Sequence, residues 1–226
     1  MNLIAFLLGP ALLSLSSGPG LAAQLPSPPQ SFMDTTYSAP TGHTLAVDTG
    51  GDFQTAINNA ALGDTIVLQA GATFTGAFTL PNKTTGSGWI YIRSSAYTSL
   101  PAPGTRVSIA DAANMATIAV GANTGAAIQT SAGAHHYRFV GIEFKPVANA
   151  FVYNLVNVGN GETSLANLPH DITFDRCYIH GDPAKGGRRG VAMNGARIAV
   201  IDSHVSDFKE VGADTQALWT YNSPAR

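Results

Sequence analysis

Two stretches hold most of the side chains able to do chemistry. Residues 180–189 carry Asp182, Lys185, Arg188 and Arg189, and residues 206–214 carry Asp207, Lys209, Glu210 and Asp214. Half of the 12 Lys and Arg residues, namely Arg176, Lys185, Arg188, Arg189, Arg197 and Lys209, fall between positions 176 and 209. Charged residues make up only 12% of the chain, so this concentration points to a function. Arg188 and Arg189 offer planar forks that match a carboxylate. Lys185, Lys209 and His204 can take a proton as bases, and the phenol of Tyr178 can give one. Asp182, Asp207, Glu210 and Asp214 supply oxygen atoms of the kind that bind Ca²⁺, although their spacing is not that of a standard calcium loop. Glu143, Tyr178 and His204 share one position of a repeated segment, forming a line able to hold a sugar chain with the Tyr178 ring under an apolar sugar face. The competing reading is a pair of solvated loops with neutralising ion pairs.

The repeat must position these groups. Tyr137-Arg138-Phe139-Val140-Gly141-Ile142-Glu143-Phe144, Ile172-Thr173-Phe174-Asp175-Arg176-Cys177-Tyr178-Ile179 and Ile198-Ala199-Val200-Ile201-Asp202-Ser203-His204-Val205 align column by column. The mostly apolar columns are Tyr137/Ile172/Ile198, Phe139/Phe174/Val200, Ile142/Cys177/Ser203 and Phe144/Ile179/Val205. Alternation by two is a strand with one buried face. The step of three in the middle inserts a residue and makes two short strands meeting at a bend. A coil that turns its corner at the same point on each lap needs that bend in every copy, and copies starting at 137, 172 and 198 are spaced as solenoid repeats are. The reading is an all-β chain, a right-handed parallel β-helix. It puts Phe174 inside and Thr173 outside, so Phe174→Asp should be ruinous and Thr173→Asp mild. The loops at 180–189 and 206–214 follow the bend in successive copies and should emerge side by side.

Composition agrees. Few charges, 24 Gly and 13 Pro suit short strands joined by tight corners. A formal charge of −2 favours neither nucleic acid nor an acidic membrane as partner. The single cysteine, Cys177, excludes an internal disulfide and reads as a small buried residue. The apolar run in residues 1–23, broken by Gly9-Pro10 and closing on Leu21-Ala22-Ala23, reads as a secretory signal too short to span a membrane. Residues 24–46, with Pro26, Pro28, Pro29 and Pro40, read as an extended linker, and 47–226 as the β-helix domain. Within it Arg106-Val107-Ser108-Ile109 reads as a strand, and Asp52 can cap a short helix whose Phe53, Ile57, Ala60 and Ala61 share a face.

The run GGDFQTAINNAALGDTIVLQAGATFTG, residues 50–76, together with the three copies, resembles the pectate lyase superfamily of right-handed β-helices acting on polysaccharides. The resemblance covers about residues 47–222 and implies that the short helix plugs the open end of the cylinder. Strand Ala217-Leu218-Trp219-Thr220 is followed by no second plug before Arg226, so further coils are expected beyond the chain's end. By resemblance the partner is a polysaccharide, and the cations suit a uronate. β-Elimination needs a neutralised carboxylate, a base at C5 and an acid at the leaving oxygen. Arg188 or Ca²⁺ fits the first role, Lys185, Lys209 or His204 the second, and Tyr178 or water the third. Polygalacturonases of this fold carry an Asp-Asp pair and an Arg-Ile-Lys triplet, and both are missing here. The alginate and chondroitin lyases of the superfamily use a Lys and an Arg, which fits Lys185, Arg188 and Lys209 by residue type only. Two readings stay open: an exported, monomeric lyase of an acidic polysaccharide, and a non-catalytic β-helix that binds glycans or serves at the cell surface. Export, to the extracellular space or the periplasm, predicts a mature amino terminus near Gln24, which mass spectrometry of secreted protein reads directly.

Overall fold

A computed structural model describes residues 33–122 and 124–220. The expected signal segment 1–23, residues 24–32 of the linker and the last six residues lie outside the described residues. In chain order come β1 (Thr44–Val47), α1 (Phe53–Asn59), β2 (Thr65–Leu68), β3 (Thr73–Thr75), β4 (Phe78–Leu80), β5 (Ile90–Ser94), β6 (Ala116–Val120) and β7 (Ile128–Thr130). The next coil has β8 (His135–Val140), β9 (Ile142–Pro146) and β10 (Asn154–Val158). The last two have β11 (His170–Asp175), β12 (Tyr178–His180) and β13 (Arg189–Met193), then β14 (Ala196–Ile201), β15 (His204–Ser206) and β16 (Gln216–Trp219). From β2 onward each lap contributes one strand to each of three sheets, and β1 adds a sixth strand to the first: β1-β2-β5-β8-β11-β14, β3-β6-β9-β12-β15 and β4-β7-β10-β13-β16. The pairing within them is parallel throughout. Short strands that cross from sheet to sheet and return parallel one lap later make a right-handed parallel β-helix.

The register is the one the repeat implies. Ile172 pairs with Tyr137 and Ile198, Phe174 with Phe139 and Val200, and Ile179 with Phe144 and Val205. The Phe139 and Phe174 rings stack with centroids 5.2 Å apart inside the cylinder. Cys177 is buried in the same core, and burial pushes its thiol up to about 12, so it is inert packing at neutral pH. The bend has a defined cause: Gly141, Arg176 and Asp202, the inserted residues of three successive copies, all hold left-handed backbone, with φ of 63, 50 and 50°. At the amino-terminal end α1 is capped by Asp52, whose Oδ1 accepts the Thr55 amide at 2.9 Å, and Phe53 packs on Phe74 and Phe78. Among the described residues no helix is long and apolar enough to cross a membrane.

Three expectations need correction. The described end of the 24–46 segment is not free linker. Thr44–Val47 pairs with β2, Tyr37 packs on Tyr91, and the carbonyls of Thr35 and Thr36 accept from Arg138. Residues 106–109 form no strand but lead into a short 3₁₀ turn at Ile109–Asn114, because Val107 is drawn into an outer cluster with Leu100, Met115 and Tyr178. Thr173 faces out, as the alternation requires, yet is only 2% exposed. It belongs to an outward row, Tyr91-Arg138-Thr173-Ala199, that is buried along its length. Phe174→Asp should therefore lower stability by several kcal/mol, from an unpaired charge in the core. Thr173→Asp should lower the melting point too, by less, because Arg138 lies alongside to pair the new charge. A Thr173→Asp variant that melts with the wild type would show that this row is open to water.

Candidate functional site

The second sheet (β3, β6, β9, β12 and β15) brings chemistry-bearing residues of distant segments into rows. Thr73, Thr117, Glu143, Tyr178 and His204 lie in one register, so the expected line of Glu143, Tyr178 and His204 is real. Its accessibility is not as expected. Tyr178 is 6% exposed, covered by Leu100, Val107 and Met115, and its ring stacks on His180 at 4.2 Å and meets His204 at 5.3 Å. A ring so covered is no platform for a sugar and no donor to a leaving group.

Glu143 is 7% exposed and both its oxygens are occupied. Oε2 accepts from Thr117 Oγ1 at 2.5 Å and Lys145 Nζ at 2.9 Å, and Oε1 lies 3.1 Å from His180 Nε2. Burial by itself would raise this carboxyl, but the hydrogen bonds from His180, Thr117 and Lys145 and the lysine charge overcome it and hold it at about 2. Glu143 is therefore a fixed anion that positions Lys145 and His180 and does not itself meet a ligand. His180 is pinned on its other side as well, with Nδ1 2.9 Å from the Gly181 carbonyl. Lys145 and His180 line a groove of about 280 Å³ with Thr73, Thr75, Asp182 and Pro183.

The two loops do emerge side by side. The Gly181 amide donates to Ser206 O at 3.1 Å, the Gly187 amide to Lys209 O at 3.2 Å, and Lys209 Nζ to Pro183 O at 2.7 Å. Gly186 has φ of 76°, and a Cβ there would lie 2.1 Å from Lys209 O, so only glycine lets the strands of the loops touch. The charges are largely spent within the loops. The Arg188 fork, expected to grip a substrate carboxylate, grips Glu210 through Nε and Nη2 and lies over the Tyr153 ring. Arg189 stacks on Trp219 at 3.8 Å. Asp182 is held by the amides of Ala184, Lys185 and Asn149, and Asp207 accepts from Ser206 Oγ. The four acids expected to bind Ca²⁺, Asp182, Asp207, Glu210 and Asp214, do not converge on a common point. Lys185 stands exposed on the turn after Asp182, and His204 is half-buried on the second sheet.

The residues that the sequence reading missed sit one position past the repeat as it was drawn. Lys145, His180 and Ser206 follow Phe144, Ile179 and Val205, so extending each copy by one residue exposes them as a row.

The fold and groove together define a right-handed parallel β-helix with an outward cleft on its second sheet. No protein-family model matches the chain, and no curated protein matches its sequence. Among solved structures an alginate lyase from Paenibacillus sp. str. FPU-7 is similar, with a TM-score of 0.46 and 20% identity over 72% of this chain and 44% of the lyase. The chain thus spans less than half the length of that protein.

The Glu143 network makes stability pH-dependent with a definite sign. Its folded value of about 2 lies below the ordinary 4.5, so the stabilisation is complete above about 4.5 and is lost as pH falls toward 2. The shift corresponds to on the order of 3 kcal/mol. Thermal melts from pH 7 to pH 2 should show this acid-labile component in the wild type and a flatter profile in Glu143→Gln.

Proposed function

We propose that the protein is a lyase-like protein that acts on an acidic polysaccharide in the groove along the outer face of the second sheet. The observation that carries this reading is Lys145 beside His180 in an outward groove, both fastened to one buried carboxylate. The Lys145 ammonium at the groove offers a charge-assisted contact to a sugar carboxylate, and the rigid anchoring holds it in place before the ligand arrives. Lys145 neutralises the uronate carboxylate. That acidifies the adjacent C5 proton, which a base removes while the C4–oxygen bond breaks, the C4–C5 double bond forms and the departing oxygen takes a proton. His204 on this face can move those protons, as can Lys185 and Lys209 on the bordering loops, while His180, with both ring nitrogens engaged, shapes the groove. Positions able to contact successive sugars can line up along such a sheet because its rows run across every coil, about 4.8 Å apart. The apolar amino-terminal run supports export to where such polymers occur.

Incubation of the natural full-length protein with pectate, alginate and glycosaminoglycans, across pH and with or without Ca²⁺, should yield unsaturated products that absorb in the ultraviolet. Lys145→Ala should lower kcat/KM by roughly 100-fold when assayed below its melting point, through the loss of a charge-assisted contact made in the transition state, and should also lower the melting point because Glu143 loses a partner. Wild-type binding without unsaturated product would instead establish a glycan-binding protein. Neither binding nor product with any of these polymers would end the reading.

A further inference from the structure

A second cluster lies on another face, at the entry to the first sheet, and is independent of the groove. His135 and His136 open β8, His170 and Asp171 open β11, and Ala196 and Arg197 open β14, with His135, His170 and Ala196 in register. The next residue of each coil, His136, Asp171 or Arg197, has left-handed backbone, with φ of 58, 53 and 54°. A non-glycine residue in that region turns its side chain out of the regular alternation. The consequence is a convergence that a flat ladder would not give. His136, His170 and Asp171 each present a ligand atom, and the three atoms lie within 4.8 Å of one another.

The rings are held from behind. His135 stacks on His170 with centroids 4.9 Å apart and planes 4° from parallel, and its Nδ1 lies 2.7 Å from Nδ1 of His136. Trp89 packs against His136 at 5.2 Å. These contacts, with the 2.6 Å separation of His170 Nδ1 from Asp171 Oδ2, fix the orientation of both rings beside the carboxylate. Asp171 faces Arg197, which donates from Nε to Oδ1 at 2.7 Å and from Nη2 to Oδ2 at 2.5 Å. The Arg197 side chain is 58% exposed, so its guanidinium can leave the carboxylate without opening the core.

We propose that His136, His170 and Asp171 bind a divalent transition-metal ion of the Zn²⁺ class, which takes the place of the Arg197 fork at Asp171. Two imidazoles and one carboxylate select such an ion over Ca²⁺ or Mg²⁺, which prefer oxygen alone. Three protein ligands leave a further position for water or for an oxygen of a bound molecule. Because the ligands come from consecutive coils, the ion fastens β8 to β11 and stabilises the folded chain.

The test titrates chelator-stripped full-length protein with Zn²⁺ alone by calorimetry and with Co²⁺ by visible absorption. One equivalent should bind, with d–d bands of a low-coordinate nitrogen–oxygen site, and Zn²⁺ should raise the melting point. His136→Ala and His170→Ala should each weaken binding roughly 100-fold and abolish the thermal shift. Asp171→Asn, which keeps the side-chain shape, should do likewise and covers the case in which an alanine variant fails to fold. Arg197→Ala should tighten binding about tenfold, since it removes the competing cation. His204→Ala, on the other sheet, should bind as wild type. No binding by the wild type at millimolar Zn²⁺, or undiminished binding in His136→Ala, His170→Ala and Asp171→Asn, would overturn the site. Unchanged affinity in Arg197→Ala would overturn the displacement.

Discussion

Each of the last three laps passes from the first sheet to the second through one residue in left-handed backbone, Gly141, Arg176 or Asp202. The corner amides hand on the register: Gly141 N donates to Asp175 O at 3.1 Å, and Arg176 N to Ile201 O at 3.0 Å. A corner on one coil is therefore held by the residue just before the corner on the next. A slip of one residue would break this chain of bonds and turn every inward column outward. Left-handed backbone at Arg176 and Asp202 costs about 1–2 kcal/mol each. The buried rows of Phe139, Phe174 and their neighbours, which exist only in this register, outweigh it.

Outside the cylinder the same corner sets a charged knot. Asp175, 1% exposed, accepts from Arg138 at 2.8 Å and from Arg176 at 2.9 Å. The two guanidiniums reach on to carbonyls of remote segments, Arg138 to Thr35 and Thr36, and Arg176 to Pro101. Buried ion pairs of this kind add little net stability over apolar packing, but breaking one is expensive. Here they specify where the segment before β1 and the loop after β5 lie against the first sheet, and that placement brings Tyr37 over Tyr91.

The groove is a product of stacking. Thr117, Glu143 and His180 come from three successive coils, and Lys145 lies two residues beyond Glu143, so that one carboxylate collects donors that are far apart in the chain. Its neighbours along the sheet separate into wet and dry by what folds over them. Lys145 keeps its ammonium at the groove, while Tyr178 is roofed by Leu100, Val107 and Met115. The loop cations follow the same logic in reverse, since Arg188 and Arg189 meet Glu210 and Trp219 before they could meet a ligand.

The cylinder, its inward columns, its bend and its capping helix are legible in the residues alone, because an inward position must be apolar on every lap and a corner must recur at one place. The same residues also show that Glu143, Tyr178 and His204 share a row, and that the loops at 180–189 and 206–214 are neighbours. Lys145 with His180, and His136 with Asp171, lay one residue to either side of the repeat and were legible in principle by the same alignment. Which outward residues stay in water depends instead on how the folded chain packs over the sheets. Thr173, Tyr178 and Glu143 face out by alternation, yet each is buried by segments or partners whose position no local period encodes. Arg188 is neutralised by an acid 22 residues away for the same reason. The inside of a solenoid is set by a repeating short-range pattern, whereas its outside is set by whatever non-repeating chain comes to rest there.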